Sequence, residues 1–311
     1  MAEHELIAGP DTVHWGYYDA ALPPVMTVAS GDSVTFHSES GWADFRDVYG
    51  DRMSPALLEI FEKCERGGGG HVLCGPVAVE GAEPGDVLEV RIRDLRPRYD
   101  WGYNTFRPMK GGLPDDFPYG RTVVVEIDAA RGVGDWGAGV EVPLSPFFGN
   151  FGVAPPANLG QVPSTPPGVW GGNMDNKELV SGATVYFPVF NKGACFSAGD
   201  GHGCQGDGEA CVSALETALI GTFELHLRKD MKLETPRAET ATHHILMGFD
   251  PSLDNAAQIA LRQTIAFLGE TRGMSRDDAY TLCSLAVDLR ITQIVNGVKG
   301  VHAMLPKAVL A

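Results

Sequence analysis

Cysteine is scarce in this chain: six residues in 311, too few for a disulfide framework at this length. Cys64, Cys74, Cys195, Cys204, Cys211 and Cys283 include no C-x-x-C pair, which argues against structural zinc held by thiolates. A reducing cytoplasm is therefore the expected compartment. Basic residues are also in short supply. Lys and Arg number 24 against 40 Asp and Glu, a formal charge of −16. That balance argues against nucleic acid or an anionic membrane surface as partner. No window approaches the roughly 18 to 20 apolar residues of a membrane helix. The opening "MAEHELIAGPDTVHWGYYD" has no basic stretch followed by an apolar run, so no secretory signal is expected. A serine-nucleophile elbow of the form G-x-S-x-G is missing as well.

Turn formers are plentiful. Glycine (39) and proline (21) together break the chain into many short elements. "LPPVMTVASGDSVTF" reads as strand, Ser-Gly-Asp turn, strand. In "DVLEVRIRDL" the apolar Leu88, Val90 and Ile92 alternate with Glu89, Arg91 and Arg93, as in a half-buried strand. "TVVVEID", "ATVYFPVF" and "GTFELHLRK" are further strands, while residues 147–172, rich in Pro, Gly and Asn, read as a linker or a long active-site loop. Three helices are expected. "SPALLEIFEKCER" has Ser54 as N-cap and Pro55 behind it, and residues 252–269 space their apolar positions at three to four. "SRDDAYTLCSLAVDL" opens with Ser275 and Asp278 at capping-box spacing. The predicted class is mainly β, sandwich or barrel-like, with an α+β C-terminal part. A β-rich N-terminal domain over 1–165 would pack with a unit over 166–311 carrying a catalytic loop and the C-terminal helices.

The densest chemistry lies in "GDGHGCQGDGEAC", Gly199 to Cys211, with two Asp, a Glu, a His, a Gln, two Cys and five Gly. It does not fit a phosphate cradle, because it is acidic and lacks the Lys of a P-loop. The oxygen spacing of an EF-hand loop is absent too. Asp200-x-His202 would put an oxygen and an imidazole on one face of an extended segment, a mixed donor pair that Zn²⁺ or a similar divalent ion accepts. Asp207 and Glu209 repeat the spacing, within reach for general-base duty. Glu216 is the lone charge in "ACVSALETALIG", either exposed on the wet face of a strand or buried with a partner or ion. A polar turn is the alternative for Asp200 and His202. Cys195 or Cys204 as nucleophile has no local mark of activation, and a small buried thiol is the commoner case.

"GGNMD" (Gly171 to Asp175), "LVSGATVYFPVF" and "GDGHGCQGDGE" resemble the acetamidase/formamidase family, as do "HWGYYDA", "HVLCGPVAVEGAEPGDVLEV" and "DLRITQIVNGVKGVHAMLPKAV". The resemblance runs in order over essentially the whole chain. It implies hydrolysis of short aliphatic amides to carboxylate and ammonia, a mostly β fold with a helical C-terminal part, and a homo-oligomer, dimer or higher. It also implies a divalent metal, zinc first and calcium second. Some relatives act on γ-lactams, and a non-catalytic metal-stabilised binding protein is a further reading. Cys74 and Cys204 depart from the family pattern, where Thr and a small apolar residue are usual. On this reading His71, Asp200, His202 and Glu216 hold the ion, and Glu209 or Asp207 moves the proton. Asn173, Asp175 and Gln205 orient the amide.

Overall fold

The computed structural model describes residues 1–310 and is mainly β, with helices concentrated in the C-terminal part. Nine strands form one mixed sheet, in the order Glu3–Ile7, Ser33–His37, Leu219–Arg228, Val87–Pro97, Thr184–Pro188, Arg237–Glu239, His243–Asp250, Lys299–Pro306, Asp288–Gln293. A second sheet runs Pro167–Gly168, Gly171–Asn173, Phe147–Gly152, Phe196–His202, Val72–Val79, Val13–Trp15, with Met26–Val28 parallel to Val72–Val79. Both sheets take strands from either side of residue 165.

The two sheets bury a layer of aromatics between them. Phe36, Phe187 and Phe223 from the first interlock with Phe148, Phe151 and Phe196 from the second, in ring pairs 5.4–6.3 Å apart. Edge and offset arrangements of this kind add to simple area burial, and facing sheets with interdigitated inner residues make a sandwich. Close approach is needed where they meet. A Cβ on Gly221 would lie 2.5 Å from Phe148 and 2.7 Å from Leu95.

The Ser-Gly-Asp turn behaves differently from a hairpin. Met26–Val28 joins the second sheet and Ser33–His37 the first, so the turn carries the chain across the sandwich. Residues 147–172 are not a plain loop either: Phe147–Gly152 is an inner strand of the second sheet, paired with Phe196–His202 on one side and Gly171–Asn173 on the other. Its Phe residues supply the burial that short Gly-flanked strands otherwise lack.

The capped helices form as their end signals predict. Ser54 accepts from the Leu57 amide at 3.0 Å ahead of Pro55–Lys63, and Ser275 accepts from the Asp278 amide at 3.1 Å ahead of Arg276–Ala286. The latter stops before "VDL", because Asp288–Gln293 leaves as an edge strand. Leu253–Arg272 ends on Gly273 in the left-handed region, φ 65°. Its Ala256 and Ala260 pack on Gly248, where a Cβ would meet backbone at 2.1 and 2.6 Å.

Candidate functional site

The strand Phe196–His202 brings the first two polar groups to one edge of the sandwich. Asp200 sits at φ 60°, off the extended conformation, so simple alternation does not aim it; the kink turns its carboxylate towards His202. Opposite lies Gly149, where a Cβ would come within 2.5 Å of Asp175 Oδ1 and 2.8 Å of His202 Nε2. The absence of a side chain there leaves room for Asp175, itself at φ 50°, with its amide bonded to the Gly149 carbonyl at 3.0 Å. Glu216 is not on a regular strand. Two bridges hold its backbone, to His202 and to Tyr103, the latter with paired 2.8 Å hydrogen bonds. Its carboxylate accepts from the Ala214 amide at 2.9 Å.

Three carboxylates therefore converge on one imidazole nitrogen. His202 Nε2 lies 3.4 Å from Glu216 Oε2, 3.5 Å from Asp200 Oδ2 and 4.0 Å from Asp175 Oδ1. His202, Asp175, Glu209 and Glu216 are buried, and the Asp200 side chain is 11% exposed. Glu216 is thus no wet-face residue. The other imidazole nitrogen is committed: Nδ1 donates to Gln205 Oε1 at 3.0 Å, and Gln205 Nε2 donates to the Asp175 carbonyl at 2.8 Å. This arrangement aims Nε2 at the acids.

The electrostatics follow from burial and crowding. Burial opposes charge on His202, but Glu216 and Asp200 outweigh it and raise the ring to about 10. Burial also works against Asp200, yet His71 and His202 hold it down at about 2. Glu216 is pushed up by burial, against the pull of His202, to about 8. Burial, then Asp175 and Glu216, push Glu209 well above the ordinary glutamate range. Asp175 is raised by burial, with His202 opposing.

His71 approaches from the strand edge, its Nε2 3.8 Å from Asp200 Oδ2. Asn150 accepts from the Tyr18 hydroxyl at 2.9 Å, which turns its amide nitrogen to the Ser164 carbonyl (2.8 Å) and to His71 Nδ1 (3.2 Å). With Nδ1 accepting, the neutral ring carries its proton on Nε2, facing Asp200.

His71, Asp200, Glu209 and Glu216 border a small cavity of about 80 Å³, lined also by Trp42, Arg107, Asn173, Val212, Val295 and Asn296. By the measure in which one water needs about 10–15 Å³, it admits a molecule of a few heavy atoms. Asn173 Oδ1 is buried without a partner. Asn296, which sequence reasoning missed, donates to Asp175 Oδ2 at 2.6 Å and to the Asn173 carbonyl at 3.3 Å. No local signal marks it, since it arrives from a turn more than a hundred residues on.

Of the residues singled out in the sequence, the structure gathers His71, Asn173, Asp175, Asp200, His202, Glu209 and Glu216. Gln205 stands behind His202. Asp207 is not brought in: it is exposed and pairs with Lys177 at 3.1 Å. Cys74 lies fully buried between strands, its thiol pushed up to about 12 by burial, and burial also raises Cys195 and Cys204. None of the three borders the cavity.

Residues fit for a divalent ion are present. Asp175, Asp200 and His202 form one set, and His202, Glu209 and Glu216 another, with candidate ligand atoms in each within 4.8 Å of one another. Asp175 Oδ1 and Glu209 Oε2 are buried with no hydrogen-bond partner. Buried carboxylate oxygens are costly to leave so, and a cation among them removes that cost.

Comparison with known proteins gives a consistent result. The Acetamidase/Formamidase family model matches residues 12–164 and 161–310. An acetamidase of Mycolicibacterium smegmatis is 29% identical over 265 residues, 66% of this chain and 63% of that protein. A formamidase of Methylophilus methylotrophus is 29% identical over 221 residues, 51% and 52% respectively. The chain thus spans between half and two thirds of the length of these curated relatives. Among solved structures, a recombinant predicted acetamidase/formamidase from the thermophile Thermoanaerobacter tengcongensis superposes with a TM-score of 0.87 at 29% identity, over 100% of this chain and 98% of that one. An acetamidase from Bacillus halodurans gives 0.85 at 29%, covering 98% of each chain. A gamma lactamase from Delftia acidovorans, 22% identical with a TM-score of 0.64 over 98% and 93%, shares the fold.

Proposed function

This chain belongs to the acetamidase/formamidase family, and from that membership we propose that it hydrolyses short linear amides to carboxylate and ammonia in a divalent-metal site. The observation that carries the reading is the convergence of three carboxylate oxygens on His202 Nε2 beside a cavity of about 80 Å³.

Asp200, His202 and Glu216 would hold the ion, with Asp175 next to them and His71 facing Asp200 at 3.8 Å from outside. The imidazole favours zinc, while the surrounding hard oxygens keep calcium the second choice. When bound, such an ion polarises the carbonyl and lowers the pKa of a bound water from 15.7 towards about 7. Gln205 holds the Nδ1 proton of His202, so Nε2 is the nitrogen that would give up its proton and serve as ligand to an ion.

Glu209 is the proton carrier. As the carboxylate, its Oε2, which has no other partner, can take a proton from the attacking water; burial and neighbouring acids then favour the protonated form, which passes the proton to the leaving nitrogen. Asn173 Oδ1 accepts from the amide NH₂. Trp42, Val212 and Val295 wall the cavity around the acyl group and exclude water. A small substrate brings little binding energy, so positioning and electrostatics supply most of the rate. The free cysteines support a reducing cytoplasm as the working compartment, and the family resemblance supports a homo-oligomer.

The test is ammonia release by the purified protein from formamide, acetamide and propionamide, with elemental analysis of the same sample. A linear amide should turn over with zinc bound, and Glu209→Gln should lose about 10²–10⁴-fold in kcat. The reading fails if no amide yields ammonia or if Glu209→Gln keeps full activity.

A further inference from the structure

Arg107 carries a charge that this protein leaves unanswered. Acids outnumber bases 40 to 24 along the chain, and the half-buried arginines of the first sheet are paired, Arg91 with Glu89 and Glu224, Arg228 with Glu89. Arg107 has no ion pair within 4.0 Å among the described residues, and its buried Nε has no hydrogen-bond partner. Glu216 and Asp44 act on it only from farther away, and burial pulls its pKa down first. Its guanidinium lies 3.6 Å from the centre of the Trp42 ring and borders the cavity.

A second cation makes the arrangement more costly. Exposed Arg66 stands 5.2 Å from the same ring and also lacks an acidic partner among the described residues, its Nε donating to the Gly69 carbonyl at 2.8 Å. Two like charges around one indole, with one of them partly desolvated, lack the counter-charge that such groups usually have. Stacking on the ring face accounts for some of the attraction but leaves the in-plane N–H groups of Arg107 unused. A planar fork of this kind matches a carboxylate.

We infer that Arg107, with Arg66 near the same Trp42 ring, binds a carboxylate carried by the substrate, so that the favoured amides are monoamides of short dicarboxylic acids. This rests on the amidase reading above. It also gives such a substrate a single orientation. Asp175, Asp200, Glu209 and Glu216 repel its carboxylate, Arg107 attracts it, and the neutral amide end is left to face the acids.

Malonamate and malonamide differ in little but that charge, so the ratio of their kcat/KM values cancels losses common to both. The ratio should exceed about 10 in the wild type and fall by about 10–100-fold in Arg107→Met, as for a lost charge-assisted hydrogen-bonded pair. Arg107→Lys should retain part of it. A wild-type ratio of one or less overturns the proposal, as does a ratio unchanged in Arg107→Met. So does a result in which Arg107→Met relieves only inhibition by acetate, which would make the subsite one for product. If no amide at all is hydrolysed, the amidase reading falls by itself. Calorimetric titration with malonamate then decides the role of Arg107: weaker binding in Arg107→Met upholds it and equal binding overturns it.

Discussion

At the scale of single residues, the site depends on groups that never touch a substrate. Gln205 is the clearest. Its carbonyl receives the Nδ1 proton of His202, and its amide nitrogen is fixed by the Asp175 backbone. Replacing it with Leu removes the acceptor that selects the tautomer while leaving every candidate ligand in place. Partners of this kind are typically worth about 10–100-fold in metal affinity, so Gln205→Leu should bind zinc that much more weakly in equilibrium dialysis, with a lesser loss in Gln205→Glu, which can still accept. Equal affinity in all three proteins would show that His202 needs no such guide. The string around Gln205 was legible in the sequence because Asp200, His202, Gln205 and Glu209 are close neighbours along the chain. What each does was less so. Gln205 reads as a substrate contact until the structure shows both ends of its amide engaged, and Asp207 reads as a base until it is seen facing Lys177. Asn296 and Arg107 gave no local signal, since both reach the site only through tertiary contacts.

At the scale of elements, the strand Phe147–Gly152 shows how a segment can be misread and still be decisive. Its glycines suggest a loop, and periodicity is weak over so short a stretch. Helix ends are easier to read, because a cap is a local hydrogen bond: Ser54, Ser252 and Ser275 all act as N-caps. Gly149 is a glycine because of what stands across from it. Gly149→Ala would drive a methyl group into the Asp175 carboxylate and the His202 ring, costing about 1–3 kcal/mol through overpacking. Metal content and ammonia release should both drop in this variant, with only a modest fall in Tm. Gly206→Ala is the matched control, since a Cβ there meets nothing within 4 Å and the site should survive. If Gly149→Ala kept its metal and rate, the cluster would have to be looser than the packing indicates.

At the scale of the whole molecule, the sandwich keeps two histidines out of water, and this ties its stability to pH. His14 is 4% exposed, donating from Nδ1 to the Tyr17 carbonyl at 2.5 Å and accepting the Ser197 hydroxyl at Nε2 at 2.9 Å. His302 is fully buried beside Thr292. Burial lowers each to about 4, against 6.5 in the free chain. Between those values the unfolded chain binds protons that the native protein refuses, so each histidine takes stability away as pH falls through 6.5 towards 4. The raised carboxyls of the metal-free site act the other way in part of the same window, since there the native state holds the extra protons. The contribution of one histidine must therefore be read as a difference. In denaturant titrations at pH 7 and pH 5, the stability lost by the wild type should exceed that lost by His14→Gln by about 2 kcal/mol, the linkage expected for one ring moved from 6.5 to about 4. The sandwich joins residues as distant as 14 and 197 in that one hydrogen bond, which is why composition alone could not reveal it. Identical losses in the two proteins would mean that His14 accepts its proton within the folded structure, and that this part of the core opens more readily than its packing implies.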